Sequence, residues 1–203
     1  MTATALRKRL RDLPVEEAAR RLLGAEVHTR IDGARAAARI VETEAYRGAD
    51  DKAAHSYGYR RTPRTAVFYE DAGHAYVYLI YGLHQMFNVV VGPPGEPNAV
   101  LVRGVEPLSG VELMRTRRGL DAPGPRLTNG PALVCQALGI SRAHYGLDLL
   151  ASGSAVRLVG TLGTVPDPEI VASPRVGVAY AEECATWPWR FRESGNAYTS
   201  PAK

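Results

Sequence analysis

The hexapeptide Val41-Glu42-Thr43-Glu44-Ala45-Tyr46 sets two carboxylates two positions apart in a strand-like run. Side chains alternate across a strand, so Glu42 and Glu44 share one face while Val41 and Thr43 take the other. Two acids on one face serve a solvated surface, the commoner arrangement, or a reaction that needs a general base. Tyr46 and His55 follow closely in the chain, and such rings stack on and hydrogen-bond a heterocycle. A carboxylate partly withdrawn from water by aromatic neighbours suits general-base work, and Glu44 stands where the strand gives way to a long polar segment.

A second group is Tyr76-Val77-Tyr78-Leu79-Ile80-Tyr81-Gly82-Leu83. Alternation puts Tyr76, Tyr78 and Ile80 on one face and Val77, Leu79 and Tyr81 on the other, so that one of Tyr78 and Tyr81 can stack in a pocket while the other is displayed. Tyrosines in strands more often simply pack. Asn88 and Arg103 lie among Phe87, Val89, Leu101 and Val102, where a buried polar group needs a partner; an ion pair of Arg103 with Glu42 or Glu106 is the plainest choice. Tyr59-Arg60-Arg61-Thr62-Pro63-Arg64 is either soluble surface or a set of phosphate contacts. The five histidines lack zinc-ligand spacing, and there is no P-loop, G-x-G-x-x-G or G-x-S-x-G. Metal, nucleoside triphosphate, dinucleotide and serine-hydrolase chemistry drop out.

The elements that must position these residues are legible in outline. A proline, early acids, late arginines and a closing glycine mark a short helix over 13–24. Strands are predicted at 26–30 and 36–43, joined at Asp32-Gly33, with a long loop over 47–65. A hairpin of strands 75–80 and 86–91 carries Tyr81 near its tip, and a further strand covers 100–105. Helices are expected at 109–118 and 131–138, and late strands at 156–160 and 175–178. With 203 residues, 45% hydrophobic and 23% charged, and without repeat or linker, the composition is that of one globular domain. The apolar runs fall short of the ~18 residues a spanning helix needs. No apolar stretch follows the basic N-terminus, so a cytoplasmic protein without a membrane partner is expected. The net charge of +4 permits a polyanionic partner. Cys135 and Cys184 read as small buried hydrophobes.

Taken together, Ile40 to Tyr46, Ala53-Ala54-His55-Ser56, Thr62-Pro63-Arg64, Tyr76 to Gly82, Asn88, Val100-Leu101-Val102-Arg103 with Glu106-Pro107-Leu108, Asn129-Gly130-Pro131 with Cys135 to Leu138, and Arg175 to Val178 closely resemble the alkyladenine (3-methyladenine) DNA glycosylases of the mammalian type, in a compact bacterial form. The likeness runs in order from Leu13 to Phe191. It implies an α+β fold: a single mixed domain spanning 1–203, with a core of about 13–191, around a curved antiparallel sheet whose protruding hairpin enters the DNA minor groove. It implies a monofunctional glycosylase, without cofactor or lyase activity, that flips alkylated or deaminated purines out of double-stranded DNA. By this resemblance Glu44 activates the attacking water with help from Arg103. Tyr46, His55, Tyr78 and Asn88 surround the flipped base. Tyr81 is the wedge, and Leu83, Arg60, Arg61, Arg64 and Leu101 belong to the DNA-binding set. A monomer is compatible with such a hairpin. The chain departs from the family pattern at Thr65, at Leu83-His84 and at Ala99.

Two rivals remain at this level. A nucleoside or glycoside hydrolase would use Glu42 and Glu44 as its carboxylate pair, although such pairs flank the scissile bond rather than stand side by side. A non-catalytic nucleic-acid-binding module would display Tyr81 and the basic loop without needing Glu44.

Overall fold

The computed structural model describes residues 1–201. Its centre is one eight-stranded antiparallel sheet. The strands are β1 (Glu26–Ile31), β2 (Ala34–Arg47), β3 (Ala75–Ile80), β4 (His84–Val91), β5 (Asn98–Ser109), β6 (Val156–Val159), β7 (Ile170–Ser173) and β8 (Arg190–Glu193). The main order is β3-β4-β5-β2-β1-β6, and β8 joins β2 where β1 has ended, with β7 outside it. The β1–β2 turn has φ of 53° at Asp32 and 76° at Gly33, as the predicted Asp-Gly hairpin requires.

The helices are α1 (Ala3–Asp12), α2 (Val15–Arg21), α3 (Val111–Arg118) and α4 (Pro131–Leu138). α2, α3 and α4 match the predicted segments. α1 is new: only Leu6 and Leu10 of its surface are buried, so too few apolar residues mark it among the arginines. Those arginines are fixed in place, Arg7 by Asp148 and Arg11 by Asp71.

Sheet alternation divides the molecule. Ala45, Val77, Phe87, Val89, Val100 and Val102 point into the main core with the helices. Their neighbours Tyr46, Tyr76, Tyr78, Met86, Asn88, Ala99, Leu101 and Arg103 line a cavity on the opposite face. The sheet is therefore both the floor of the cavity and the wall of the core.

Several boundaries differ from the sequence reading. β2 continues to Arg47, three residues past Glu44, because Ala45, Tyr46 and Arg47 keep pairing with Val100, Ala99 and Asn98 of β5. Residues 175–178 are not a strand; the late strands are β7 and β8, since Arg175 and Val176 spend their polar groups on the site described below. The packed structure also exceeds 13–191, as Leu6, Leu10 and Ser200 are all buried. Cys135 and Cys184 are free and buried, as expected.

Candidate active site

Glu42 and Glu44 do share a face, but both are wholly buried, which removes the solvated-surface reading. What brings Arg103 between them is a register shift. Glu42 pairs with Gly104 and Thr43 with Val102, leaving Arg103 as the extra residue of β5; a bulge of this kind re-aims a side chain. Arg103 Nε donates to Glu42 Oε1 at 3.1 Å and Nη1 to Glu44 Oε2 at 3.3 Å. Burial pulls its pKa down, yet Glu44 and Glu42 outweigh that and hold it above the ordinary value. The expected Glu42 pair is thus present, while Glu106 instead binds Arg39.

The two carboxylates have different surroundings. Glu42 is locked: it also accepts from Arg190 Nε at 2.6 Å, from Ser200 Oγ at 2.8 Å and from the Ser200 backbone N–H. Ser200 Oγ accepts in turn from Arg103 Nη2 at 3.3 Å. The last turn of the described chain thus reaches back onto the site. Gly104 permits this, because a Cβ there would stand 2.6 Å from the Tyr198 carbonyl oxygen. Glu44 accepts from Tyr46 OH at 2.8 Å and from the Val176 N–H at 2.8 Å, besides Arg103. Tyr46, Val176 and Arg103 all line the cavity, so the Glu44 carboxylate stands directly behind its wall. Three of its roughly four acceptor directions are used, leaving one for a water.

The cavity holds about 230 Å³, the scale of a small heterocycle. His55 and Tyr78 meet edge to face at 4.6 Å between centroids. Asn88 is fixed by its Nδ2, which donates to the Tyr76 carbonyl at 3.2 Å. His55 Nδ1 lies 2.8 Å from Tyr76 OH. Burial, then the charges of Arg64 and Arg60, lower the His55 pKa to about 4, so near neutrality the ring offers one donor and one acceptor. Burial and the Glu44 charge push the Tyr46 phenol well above its ordinary pKa; burial does the same for Tyr78 and pushes Tyr76 up to about 12.

At the tip of the β3–β4 hairpin Tyr81 is 89% exposed with φ 54°, followed by Gly82 at φ 69°. It belongs to the turn rather than to the Val77–Leu79 face, because two left-handed residues close the hairpin. Leu83 is exposed beside it. Leu101 differs from the displayed residues with which the sequence reading grouped it: it is 4% exposed and part of the cavity wall. Arg60, Arg61 and Arg64 are exposed, with Arg61 over the Tyr69 ring and Arg64 over Tyr78 at 5.0 Å. The unusual Thr65 is buried and structural, its hydroxyl donating to the Arg60 carbonyl at 2.9 Å. Ala99 lies in the cavity wall.

Sequence reasoning assigned no role to Arg175, Tyr76, Arg190 or Ser200. Arg175 pairs with Asp51, both side chains having no exposure, and donates to the Ala45 carbonyl at 2.8 Å while lying 4.7 Å from the Tyr46 ring centroid. It ties the loop after β2 to the segment that supplies the Val176 N–H. Its place in a resembling motif was the only signal, since partners 124 residues apart in sequence leave no local pattern.

The family model described as methylpurine-DNA glycosylase matches residues 9–197. A Bacillus cereus protein named "Putative 3-methyladenine DNA glycosylase" is 43% identical over 190 residues, covering 91% of this chain and 93% of its own. Proteins of the same printed name from Bacillus thuringiensis and Bacillus anthracis show the same identity and coverage.

Proposed function

The chain belongs to the methylpurine-DNA glycosylase family, and from that premise we propose that it hydrolyses the N-glycosidic bond of alkylated or deaminated purines flipped out of duplex DNA, of the 3-methyladenine, ethenoadenine and hypoxanthine type. The observation that carries this reading is a purine-sized cavity walled by Tyr46, Tyr78 and His55, backed by Glu44 and Arg103 and lying at the foot of a hairpin that displays Tyr81.

A stacked base hides its glycosidic bond, so the nucleotide must be extruded, and a damaged or mispaired base costs less to extrude. Tyr81 fills the gap left in the duplex, with Leu83 beside it. Tyr46 and Tyr78 stack on the extruded purine, electron-rich faces that attract an alkylated, cationic base, while His55 bonds its edge. Asn88 stands where the 2-amino group of guanine would collide. Glu44 takes a proton from the water that attacks the anomeric carbon, and Arg103 holds carboxylate and water together. The bond to the base breaks, and the base leaves with the bonding electrons; a cationic base needs no proton to do so. Among the described residues no lysine lines the cavity, so no Schiff base with the sugar, and no lyase step, is expected. Arg60, Arg61 and Arg64 meet phosphates, and the protein acts as a cytoplasmic monomer.

Single-turnover cleavage of duplexes carrying ethenoadenine, hypoxanthine or plain adenine tests the reading, with Glu44→Gln in parallel. Wild type should release only damaged bases. The variant should be slower by roughly 10³-fold, within the range of general-base catalysis, while binding the lesion duplex as well as wild type does. Turnover retained by Glu44→Gln would remove Glu44 from the mechanism. The rival pairing of Glu42 with Glu44 as flanking carboxylates loses support because Arg190 and Ser200 lock Glu42 away.

A further inference from the structure

Beside the cavity lies a second hollow of about 340 Å³, whose lining includes Tyr57, Tyr180, Arg60 and Arg64. Ala53, Ala54, His55 and Tyr180 line both spaces, so only that ridge separates them. Tyr57 is 46% and Tyr180 67% exposed, which leaves a large part of both rings to solvent, although the Tyr180 hydroxyl donates to the Ala53 carbonyl at 3.4 Å. Many of the chain's arginines are matched to acids, for example Arg47 with Asp50 and Arg21 with Glu17. Arg60, Arg61 and Arg64 have no carboxylate partner among the described residues; Arg61 and Arg64 lie instead over tyrosine rings. Lys52, also in the hollow, is held by two carboxylates, Glu182 and Glu183, and so offers no free positive charge. The backbone that presents this side is strained: Tyr59 has φ 60° directly after Gly58 at 64°, a conformation that a bulky residue adopts only when its surroundings impose it.

Unpaired guanidinium groups beside exposed rings are the combination that holds single-stranded nucleic acid, the cations following the backbone and the rings taking bases by stacking. Packed duplex offers no free base face to Tyr57, because neighbours of a single extruded nucleotide remain stacked. We infer that this hollow binds one unpaired nucleotide next to the extruded one, so that the protein engages single-stranded DNA through a contact it does not make with duplex. This deepens the glycosylase reading and rests on it for the meaning of the neighbouring cavity.

The test separates the two. Binding of an unmodified single-stranded oligonucleotide and of the corresponding duplex is measured by fluorescence anisotropy for wild type, Tyr57→Ala and Tyr57→Phe, and excision of ethenoadenine from duplex is measured alongside. Tyr57→Ala should weaken single-strand binding about tenfold, the scale of one lost base–aromatic stack, and duplex binding less than twofold. Tyr57→Phe keeps the ring and should bind single strands as wild type does. Equal losses on both substrates, or no loss on either, would overturn the inference whatever the excision assay reports. Failure of duplex excision with the single-strand effect intact would remove the glycosylase reading and leave the nucleotide site standing.

Discussion

His55 is held neutral by its surroundings, and this fixes a pH dependence. Its pKa is about 4 in the folded chain against about 6.5 when unfolded. Between those values the unfolded chain binds a proton that the folded chain does not, so stability rises with pH across the window. The contribution is complete above about pH 6.5 and is lost as pH falls toward 4. Urea unfolding at pH 7.5 and pH 4.5 should show wild type losing up to ~3 kcal/mol more than His55→Gln, an upper figure from the size of the shift. An identical pH dependence in both proteins would contradict the neutral ring. Ser200 acts at the same scale. Its hydroxyl joins Glu42 to Arg103 and Arg190, so Ser200→Ala loosens the arginine that touches Glu44 without touching the cavity. Base release should slow by about tenfold, the scale of one or two lost hydrogen bonds to charged groups. Duplex affinity should stay constant, and Ser200→Thr, which keeps the hydroxyl, should restore the rate. A change in affinity instead of rate would assign Ser200 to DNA binding.

At the scale of elements, the β3–β4 hairpin trades stability for display. A tyrosine at φ 54° strains its backbone by roughly 1–2 kcal/mol relative to glycine, and its ring gains nothing from the fold. Tyr81→Gly should therefore raise the unfolding free energy by ~1 kcal/mol, while release of a damaged base from duplex drops at least about tenfold because the gap in the stack goes unfilled. Denaturant melts and single-turnover rates read the two effects separately, and a fall in both would mean that the ring packs against the hairpin. The bulge in β5 plays the complementary part: alternation puts Arg103 on the face of Leu101, and the extra residue lets it lie between Glu42 and Glu44 rather than directly opposite one of them.

For the whole molecule, the relevant field is local. A net charge of +4 on 203 residues is modest, yet Arg60, Arg61 and Arg64 stand exposed on the cavity side without a carboxylate partner among the described residues. If each meets one phosphate, duplex affinity falls steeply with salt, and removing any one of them lowers the slope of log K against log salt by about one. Titrations at several salt concentrations with Arg60→Gln and Arg61→Gln check this; an unchanged slope would clear that arginine of phosphate contact. No helix among the described residues is long and apolar enough to cross a membrane.

Alternation and turn chemistry are local properties, and they were readable from the chain itself. The shared face of Glu42 and Glu44, the common face of Tyr76, Tyr78 and Ile80, the Asp32-Gly33 hairpin and the bounds of α4 follow from neighbours a few residues apart. Helix α1 was hidden because two leucines among arginines make a weak pattern. Other features depend on residues that meet only after folding. The bulge at Arg103 arises from pairing between β2 and β5, the burial of both glutamates from β8 and the last turn covering them, and the Arg175–Asp51 pair from segments that share no sequence neighbourhood. Tyr81 shows the division most plainly: sequence put it at a hairpin tip, but only the closed turn decided that its ring stands in solvent. Sequence thus determined which residues could do the chemistry, and the tertiary structure decided which of two equivalent-looking glutamates is locked by four donors and which stands behind the cavity wall with an acceptor direction left open.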